Sequence, residues 1–189
     1  MIETLNHIDT EVFLFLNGLH NNLFDFLMYW ISDKYIWIPM YAFFLYLIIR
    51  KYRKRSWLIL LLIAATITAS DQLTVFMKNY FERPRPCHQE QLQMLVHTVK
   101  DVCGGSYGFV SSHAGNSFSL AVFLIPFLRP HYRWFTPFIL AWAAVVSYSR
   151  IYLGVHFPGD VIGGAITGAV IGFGISRIYF LVYSGPSNN

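Results

Sequence analysis

The sequence predicts an all-α bundle embedded in a membrane, with five or six transmembrane helices. Hydrophobic residues make up 55% of the 189 residues and charged residues only 13%, whereas soluble domains carry about 25% charged residues. Five stretches contain almost no charge, namely 35–49, 56–77, 114–128, 134–149 and 161–183. Because a transmembrane helix needs about 20 apolar residues, the shorter stretches must recruit flanking residues.

The N-terminal part of the chain is apolar but is not expected to span a membrane by itself. Residues 1–33 contain no Lys or Arg, so they lack the basic start of a signal peptide, and residues 1–189 are expected to form one mature domain. Segments 9–16 and 22–32 are too short to span and predict interfacial helices. Alternatively, segment 22–32 extends the first span around Asp33 or forms part of a sixth span. The polar tail, 184–189, is expected to be frayed.

The distribution of basic residues predicts the orientation of the helices. A basic run lies between the first two spans at 50–55, and Arg129 and Arg133 lie between the third and fourth. Short loops rich in Lys and Arg stay in the cytoplasm. Segments 79–112 and 150–160 should therefore share the outer face, which in a bacterial inner membrane is the periplasmic side.

The first cluster of polar residues on this face contains two cations with fixed spacing. Lys78 ends the second span, and Arg85 lies between Pro84 and Pro86 in a stiff turn. Basic residues are common at the ends of spans, where they reach toward the headgroups. By itself this cluster is therefore a weak indication of a site.

Two further clusters follow at the starts of later spans. Residues 111–113, Ser-Ser-His, precede the third long apolar stretch, where the free N–H groups of a helix favour an anion; an N-cap serine with an incidental histidine is the simpler interpretation. Arg150, His156 and Asp160 form the third cluster. A carboxylate four residues from a histidine can orient the ring and leave its other nitrogen free to attack, although a structural hydrogen bond would give the same spacing.

Taken together, the three clusters indicate phosphoryl transfer. Three cations, two histidines and one aspartate are predicted on one face by a topology that was deduced from other residues. A phosphoryl group needs fixed positive charge around its oxygens. It also needs a nucleophile in line with the leaving oxygen and an acid that protonates that oxygen.

The patterns K-x6-R-P, S-x-H and S-R-x5-H-x3-D, in this order, resemble the type 2 phosphatidic acid phosphatase superfamily. The resemblance implies an enzyme that needs neither metal nor cofactor and forms a phosphohistidine. It implies His156 as nucleophile, Asp160 as its orienting carboxylate and His113 as general acid. It further implies a phosphate clamp, which consists of Lys78, Arg85, Ser111, Ser112 and Arg150. One departure is Ser112, because the family motif has glycine there and a side chain is added where a close approach is expected.

Two other patterns bear on the architecture. Cys87 and Cys103 both fall in the outer segment and predict a disulfide, with two free thiols as the alternative. Gly164, Gly168 and Gly172 repeat every four residues, which favours close helix packing inside the bundle or, alternatively, a homodimer interface. The histidines and cysteines lack the spacing of metal ligands, and no nucleic-acid-binding motif occurs.

The predicted function is removal of phosphate from a lipid phosphate or diphosphate. Undecaprenyl diphosphate is the first choice of substrate, and phosphatidylglycerol phosphate, phosphatidic acid and lipid A remain alternatives. A lipid phosphotransferase would share the first half-reaction. Vanadate-dependent haloperoxidases use a similar anion pocket but are expected to be larger and soluble. A transporter or scaffold would not need the intact set of catalytic residues.

Overall fold

Helices form most of the protein in the computed structural model, which describes residues 2–100 and 103–183. The α-helices in these ranges are α1 Ile2–Gly18, α2 Asn22–Ser32, α3 Ile38–Tyr52, α4 Ser56–Phe81, α5 Ser112–Leu128, α6 Phe135–Tyr152 and α7 Pro158–Tyr183. Within the described residues, extended pairing is limited to one bridge between Pro84 and Tyr107. The all-α prediction is confirmed. The predicted frayed tail, 184–189, lies outside the described residues.

Local sequence signals set the ends of the helices. The Asn21 side chain accepts hydrogen bonds from the first N–H groups of α2 and caps that helix. Asp33 ends α2 and accepts the Tyr35 N–H at 2.8 Å, so α2 and α3 are separate helices. Glu82 ends α4 in the left-handed conformation, with φ 47°, and α7 begins at Pro158, where a missing N–H costs nothing.

The N-terminal helix is longer than the sequence predicted. The expected interfacial segment covered residues 9–16, whereas α1 runs over Ile2–Gly18. Polar residues in its first half concealed the helical period, although His7 and Glu11 lie one turn apart with 3.6 Å between Nδ1 and Oε1. The predicted second segment agrees with α2 at both ends.

In the part of the chain that the structure describes, two segments are long and apolar enough to cross a membrane. One is Lys34–Phe81, which contains α3 and α4 on either side of a short 3₁₀ turn, and the other is α7. Helix α5 is a shorter apolar helix. Along α7, Ile162, Ile166 and Val170 are 59%, 61% and 67% exposed, and this apolar stripe suits a lipid environment. The count of five or six spans stays a prediction.

Helix α5 lies at the centre of the bundle and packs against α4, α6 and α7. The main core includes large side chains from several of these helices, among them Ile59, Phe123, Leu124, Phe127, Ile139, Trp142 and Tyr179. On α7, a Cβ at Gly168 or Gly172 would collide with a backbone carbonyl oxygen of α5. The glycine face is therefore occupied by α5 of the same chain, which corresponds to the predicted packing inside the bundle. A homodimer through Gly164, Gly168 and Gly172 would have to displace α5.

The loop between α4 and α5, of which residues 82–100 and 103–111 are described, folds back on itself; we call it the outer loop, after the side on which the sequence predicts it. The Arg85 N–H donates to the Ser106 carbonyl at 3.3 Å, and the Gly108 N–H donates to the Arg83 carbonyl at 2.8 Å. Cys87 and Cys103 are joined as a disulfide, with their Cα atoms 5.9 Å apart. These ties hold the start and the end of the outer loop side by side.

Candidate active site

The turn between α6 and α7 carries a buried histidine and carboxylate. His156 is 2% exposed, and Asp160, in the first turn of α7, is fully buried. The Nδ1 atom of His156 lies 3.4 Å from Oδ2 of Asp160, which also accepts the Phe157 N–H at 3.0 Å. The outer loop passes directly over this pair, because a Cβ at Gly108 would lie 2.8 Å from the same Oδ2. Nε2 of His156 has no hydrogen-bond partner among the described residues.

The environment of His156 keeps its ring neutral. Burial lowers the pKa of His156 to about 4, and the charges of Arg85 and Arg150 act in the same direction. The hydrogen bond with Asp160 opposes this shift but does not cancel it. At neutral pH the imidazole therefore retains a free lone pair, which a nucleophile requires.

The S-x-H motif lies directly beside the S-R-x5-H-x3-D motif at the start of α5. The Ser111 N–H donates to the backbone carbonyl of Asp160 at 2.9 Å, so the two helix starts are linked directly. Ser111 is fully buried and its Oγ has no partner among the described residues. His113, on the first turn of α5, lies within electrostatic range of Arg150 and His156.

The K-x6-R-P motif approaches the start of α5 from the end of α4, where Lys78 lies. The Lys78 ammonium donates a hydrogen bond to the Ser112 hydroxyl, and that hydroxyl lies 2.8 Å from Oγ1 of Thr74. The side chain at the position where the family has glycine is thus accommodated and contacts the lysine. Its role differs from the steric disturbance that the sequence suggested.

Two arginines complete the cluster. Arg85 donates from Nε to the Tyr107 carbonyl at 3.2 Å and from Nη1 to the Cys103 carbonyl at 3.3 Å; burial lowers the pKa of its guanidinium, which still stays charged at neutral pH. Arg150 donates from Nη1 to the Ser32 hydroxyl, while its buried Nε has no partner among the described residues.

The structure brings all the predicted site residues together, three of them buried and five half-buried, around unpaired donors and a free imidazole nitrogen. They are Lys78, Arg85, Ser111, Ser112, His113, Arg150, His156 and Asp160. Over residues 2–100 and 103–183, the one group with ligand atoms close enough for a metal is Cys87, His88 and Cys103, and its two sulfurs are joined to each other.

Sequence reasoning missed several residues that touch this cluster. Arg83 donates to Asp160 and to Asp9 of α1, at 2.7 Å in both contacts, and Ser32 of α2 contacts Arg150. The doubled Arg-Pro in the first motif was a signal for Arg83. Asp9 and Ser32 carry no signal of their own, because only the tertiary fold brings them to the site.

The profile of the PAP2 superfamily matches residues 56–183. The chain belongs to the PAP2 superfamily. A protein named lipid A 4′-phosphatase from Bacteroides thetaiotaomicron is 43% identical over 186 residues, covering 97% of this chain and 80% of the relative. One with the same name from Porphyromonas gingivalis is 36% identical, covering 97% and 78%.

A solved structure shares the fold. The PAP2 type phosphatidylglycerolphosphate phosphatase from Bacillus subtilis superposes with a TM-score of 0.68 at 24% identity, covering 98% of this chain and 90% of its own. The family match and the relatives show that this chain is an enzyme, a lipid phosphatase of the PAP2 type. The relatives and the apolar helices indicate a membrane location. The identity of its lipid is a separate question.

Proposed function

We propose that this PAP2 enzyme is a lipid A 4′-phosphatase that works through a phosphohistidine on His156. The observation that carries the substrate is similarity along nearly the whole chain, at 43% and 36% identity, to two proteins of that name. The sequence alone favoured undecaprenyl diphosphate and gave lipid A only as an alternative. The alternative is now the better supported of the two.

The observation that supports the mechanism is a set of buried polar atoms that lack protein partners. Ser111 Oγ and Arg150 Nε are both closed to solvent and have no partner within residues 2–100 and 103–183, whereas buried polar groups of this kind normally have one. A phosphate monoester would satisfy them, since it offers several acceptor oxygens and negative charge. Lys78 and Arg85 would add positive charge around the same oxygens.

In the first half-reaction, Nε2 of His156 attacks the phosphorus. An N–P bond forms and the P–O bond to the sugar breaks. His113 donates a proton to the departing oxygen, so the dephosphorylated lipid leaves with a hydroxyl group. Asp160 accepts the Nδ1–H hydrogen bond and stabilises the positive charge that develops on the imidazole ring.

In the second half-reaction, water attacks the phosphohistidine and gives a proton back to His113. The N–P bond breaks, inorganic phosphate leaves and His156 is neutral again. The clamp stabilises the transition states of both steps by electrostatics alone, so the mechanism needs no divalent cation. A phosphotransferase would use a lipid hydroxyl in place of water in this step.

The proposal also places the site at the outer boundary of the inner membrane. The basic residues at 50–55, with Arg129 and Arg133, are expected in the cytoplasm, and the site residues lie at the opposite ends of the same helices. A headgroup would enter sideways at this boundary while the acyl chains stay in the bilayer.

The test is a substrate panel with purified protein in nanodiscs. We expect bisphosphorylated lipid A to lose one phosphate unit by mass spectrometry, with fragmentation assigning the loss to the 4′ position and an assay detecting free phosphate. Undecaprenyl diphosphate, phosphatidylglycerol phosphate and phosphatidic acid should turn over with lower kcat/KM. A higher kcat/KM for undecaprenyl diphosphate would refute the substrate assignment, and transfer to a lipid without free phosphate would refute hydrolysis.

A further inference from the structure

Arg83 belongs to the same Arg-Pro-Arg-Pro turn as Arg85, but its side chain bridges two carboxylates. Its Nη1 donates to Oδ1 of Asp160 at 2.7 Å, and its Nη2 donates to Oδ2 of Asp9 at 2.7 Å. The guanidinium also lies 4.4 Å from the ring centre of Phe157. Both terminal nitrogens of Arg83 therefore bind carboxylates, which sets it apart from the arginines of the clamp.

Asp9 ties the N-terminal helix to the turn that carries the nucleophile. Its second oxygen, Oδ1, accepts the Gly159 N–H at 2.7 Å, and a Cβ at Gly159 would lie 2.8 Å from Oδ2 of Asp9. One turn further along α1, Phe13 meets Phe157 edge-on with ring centres 5.3 Å apart. Helix α1 is thus docked on residues 157–160 by polar and apolar contacts.

The buried carboxylate of Asp160 has two separate duties. Its Oδ2 faces the His156 ring, and its Oδ1 is held by Arg83. Asp160 is fully buried, and a buried charge is costly unless it is paired and hydrogen-bonded. Arg83 supplies the cation through a charge-assisted bond, so the carboxylate plane that orients the imidazole depends on it.

We propose that Arg83 and Asp9 form a positioning pair that fixes Asp160, and through it the tautomer and orientation of His156. Helix α1 then works as part of the active site and not as an interfacial anchor. This inference rests on the proposed role of His156 as nucleophile. Neither Arg83 nor Asp9 touches the phosphate.

The first test compares Arg83→Gln with wild type in steady-state kinetics. We expect kcat to fall about 10- to 100-fold, the range found in metalloenzymes when the group that orients a ligand histidine is removed. KM should change little because the residues of the clamp are unchanged. Asp9→Asn should lower kcat less, since it keeps a side-chain oxygen for the Gly159 N–H. The double variant should lose no more than Arg83→Gln alone, because residues that act as a unit are not additive.

Two controls separate positioning from general damage. Arg83→Lys keeps the charge but cannot reach both carboxylates with a planar fork, so its kcat should lie between those of Arg83→Gln and wild type. Arg177→Gln, near the far end of α7, should leave kcat unchanged. Size-exclusion profiles and thermal unfolding must show that each variant is folded.

A spectroscopic measurement reports on the nucleophile itself. In ¹⁵N-histidine-labelled protein, the His156 signals are identified by their loss in His156→Ala. We expect one protonated Nδ1 tautomer in wild type and a mixture of tautomers in Arg83→Gln. Wild-type kcat and an unchanged His156 spectrum in Arg83→Gln would overturn this inference while leaving the proposed function intact. By contrast, full activity in His156→Ala would overturn the proposed function itself.

Discussion

Opening the Cys87–Cys103 bridge should weaken the protein and loosen the clamp. The bridge has a sequence separation of 16 residues, and the chain-entropy model gives such a loop about 3 kcal/mol at 25 °C. The bridge also fixes the Cys103 carbonyl, which accepts a hydrogen bond from Nη1 of Arg85 at 3.3 Å. We therefore expect a lower free energy of unfolding and a higher KM, since Arg85 must be reordered each time phosphate binds.

The assay is thermal unfolding and kinetics of protein purified from an oxidising compartment, with and without a phosphine reductant. The Cys87→Ser/Cys103→Ser double variant is the matched control. Its melting temperature and KM should equal those of reduced wild type and should not change when the reductant is added. Alkylation and mass spectrometry count the free thiols before reduction. Two alkylated cysteines in the unreduced protein, or a melting temperature that does not respond to complete reduction, would refute the reasoning.

Four further outcomes test the chemistry. His156→Ala should lower kcat about 10⁴-fold or more, as for other nucleophile deletions, whereas His88→Ala, at an exposed position, should not; near-normal turnover in His156→Ala would contradict the mechanism. Activity should persist in excess EDTA. A loss of activity that Mg²⁺ restores would contradict the claim that the side chains of the clamp neutralise the phosphate without a metal. Vanadate should bind Arg150→Ala about tenfold or more weakly, the equivalent of one charge-assisted hydrogen bond, so equal inhibition would exclude Arg150 from the clamp. Burial lowers the pKa of His156 to about 4, so its imidazole should stay neutral as the pH falls through 6.5, the ordinary pKa of histidine. An NMR titration that shows protonation of His156 near pH 6.5 would contradict the burial argument.

The helices and the three motifs could be predicted because each leaves a local signal. The stretch 161–183 lies within α7, Pro158–Tyr183, since apolar composition and a leading proline are visible in sequence. The motifs converge because each lies at a helix end on the same face. The substrate could not be predicted this way, because the clamp recognises phosphate, which every candidate lipid carries.

Tertiary contacts decide what the sequence could not show. Asp9 is one acid in a weakly patterned segment, and nothing local connects it with Gly159, 150 positions away. Ser112 differs from the family motif, and a steric conflict was the natural expectation for an added side chain. Its hydroxyl contacts Thr74 and Lys78 of α4. The serine is therefore accommodated in part by Thr74, a residue that belongs to none of the motifs.

Two helix starts and one loop carry most of the site, with Lys78 and Arg150 added from the ends of α4 and α6. The two starts and the loop each have their own restraint. The glycines of α7 let its backbone approach that of α5 closely, and the bond from the Ser111 N–H to the Asp160 carbonyl joins the two starts. The outer loop is held by the disulfide, by the contacts of Arg83 and by Leu92, which packs in a core cluster with Phe13 and Phe157. Because Arg83 and Arg85 are two residues apart, one short turn both orients the Asp160 carboxylate and presents a cation to phosphate. A change in the backbone of this turn should therefore affect the nucleophile and the clamp together, whereas a change confined to the Arg83 side chain should act on the nucleophile alone. A substitution at the packed glycines of α7 should act first on the free energy of unfolding.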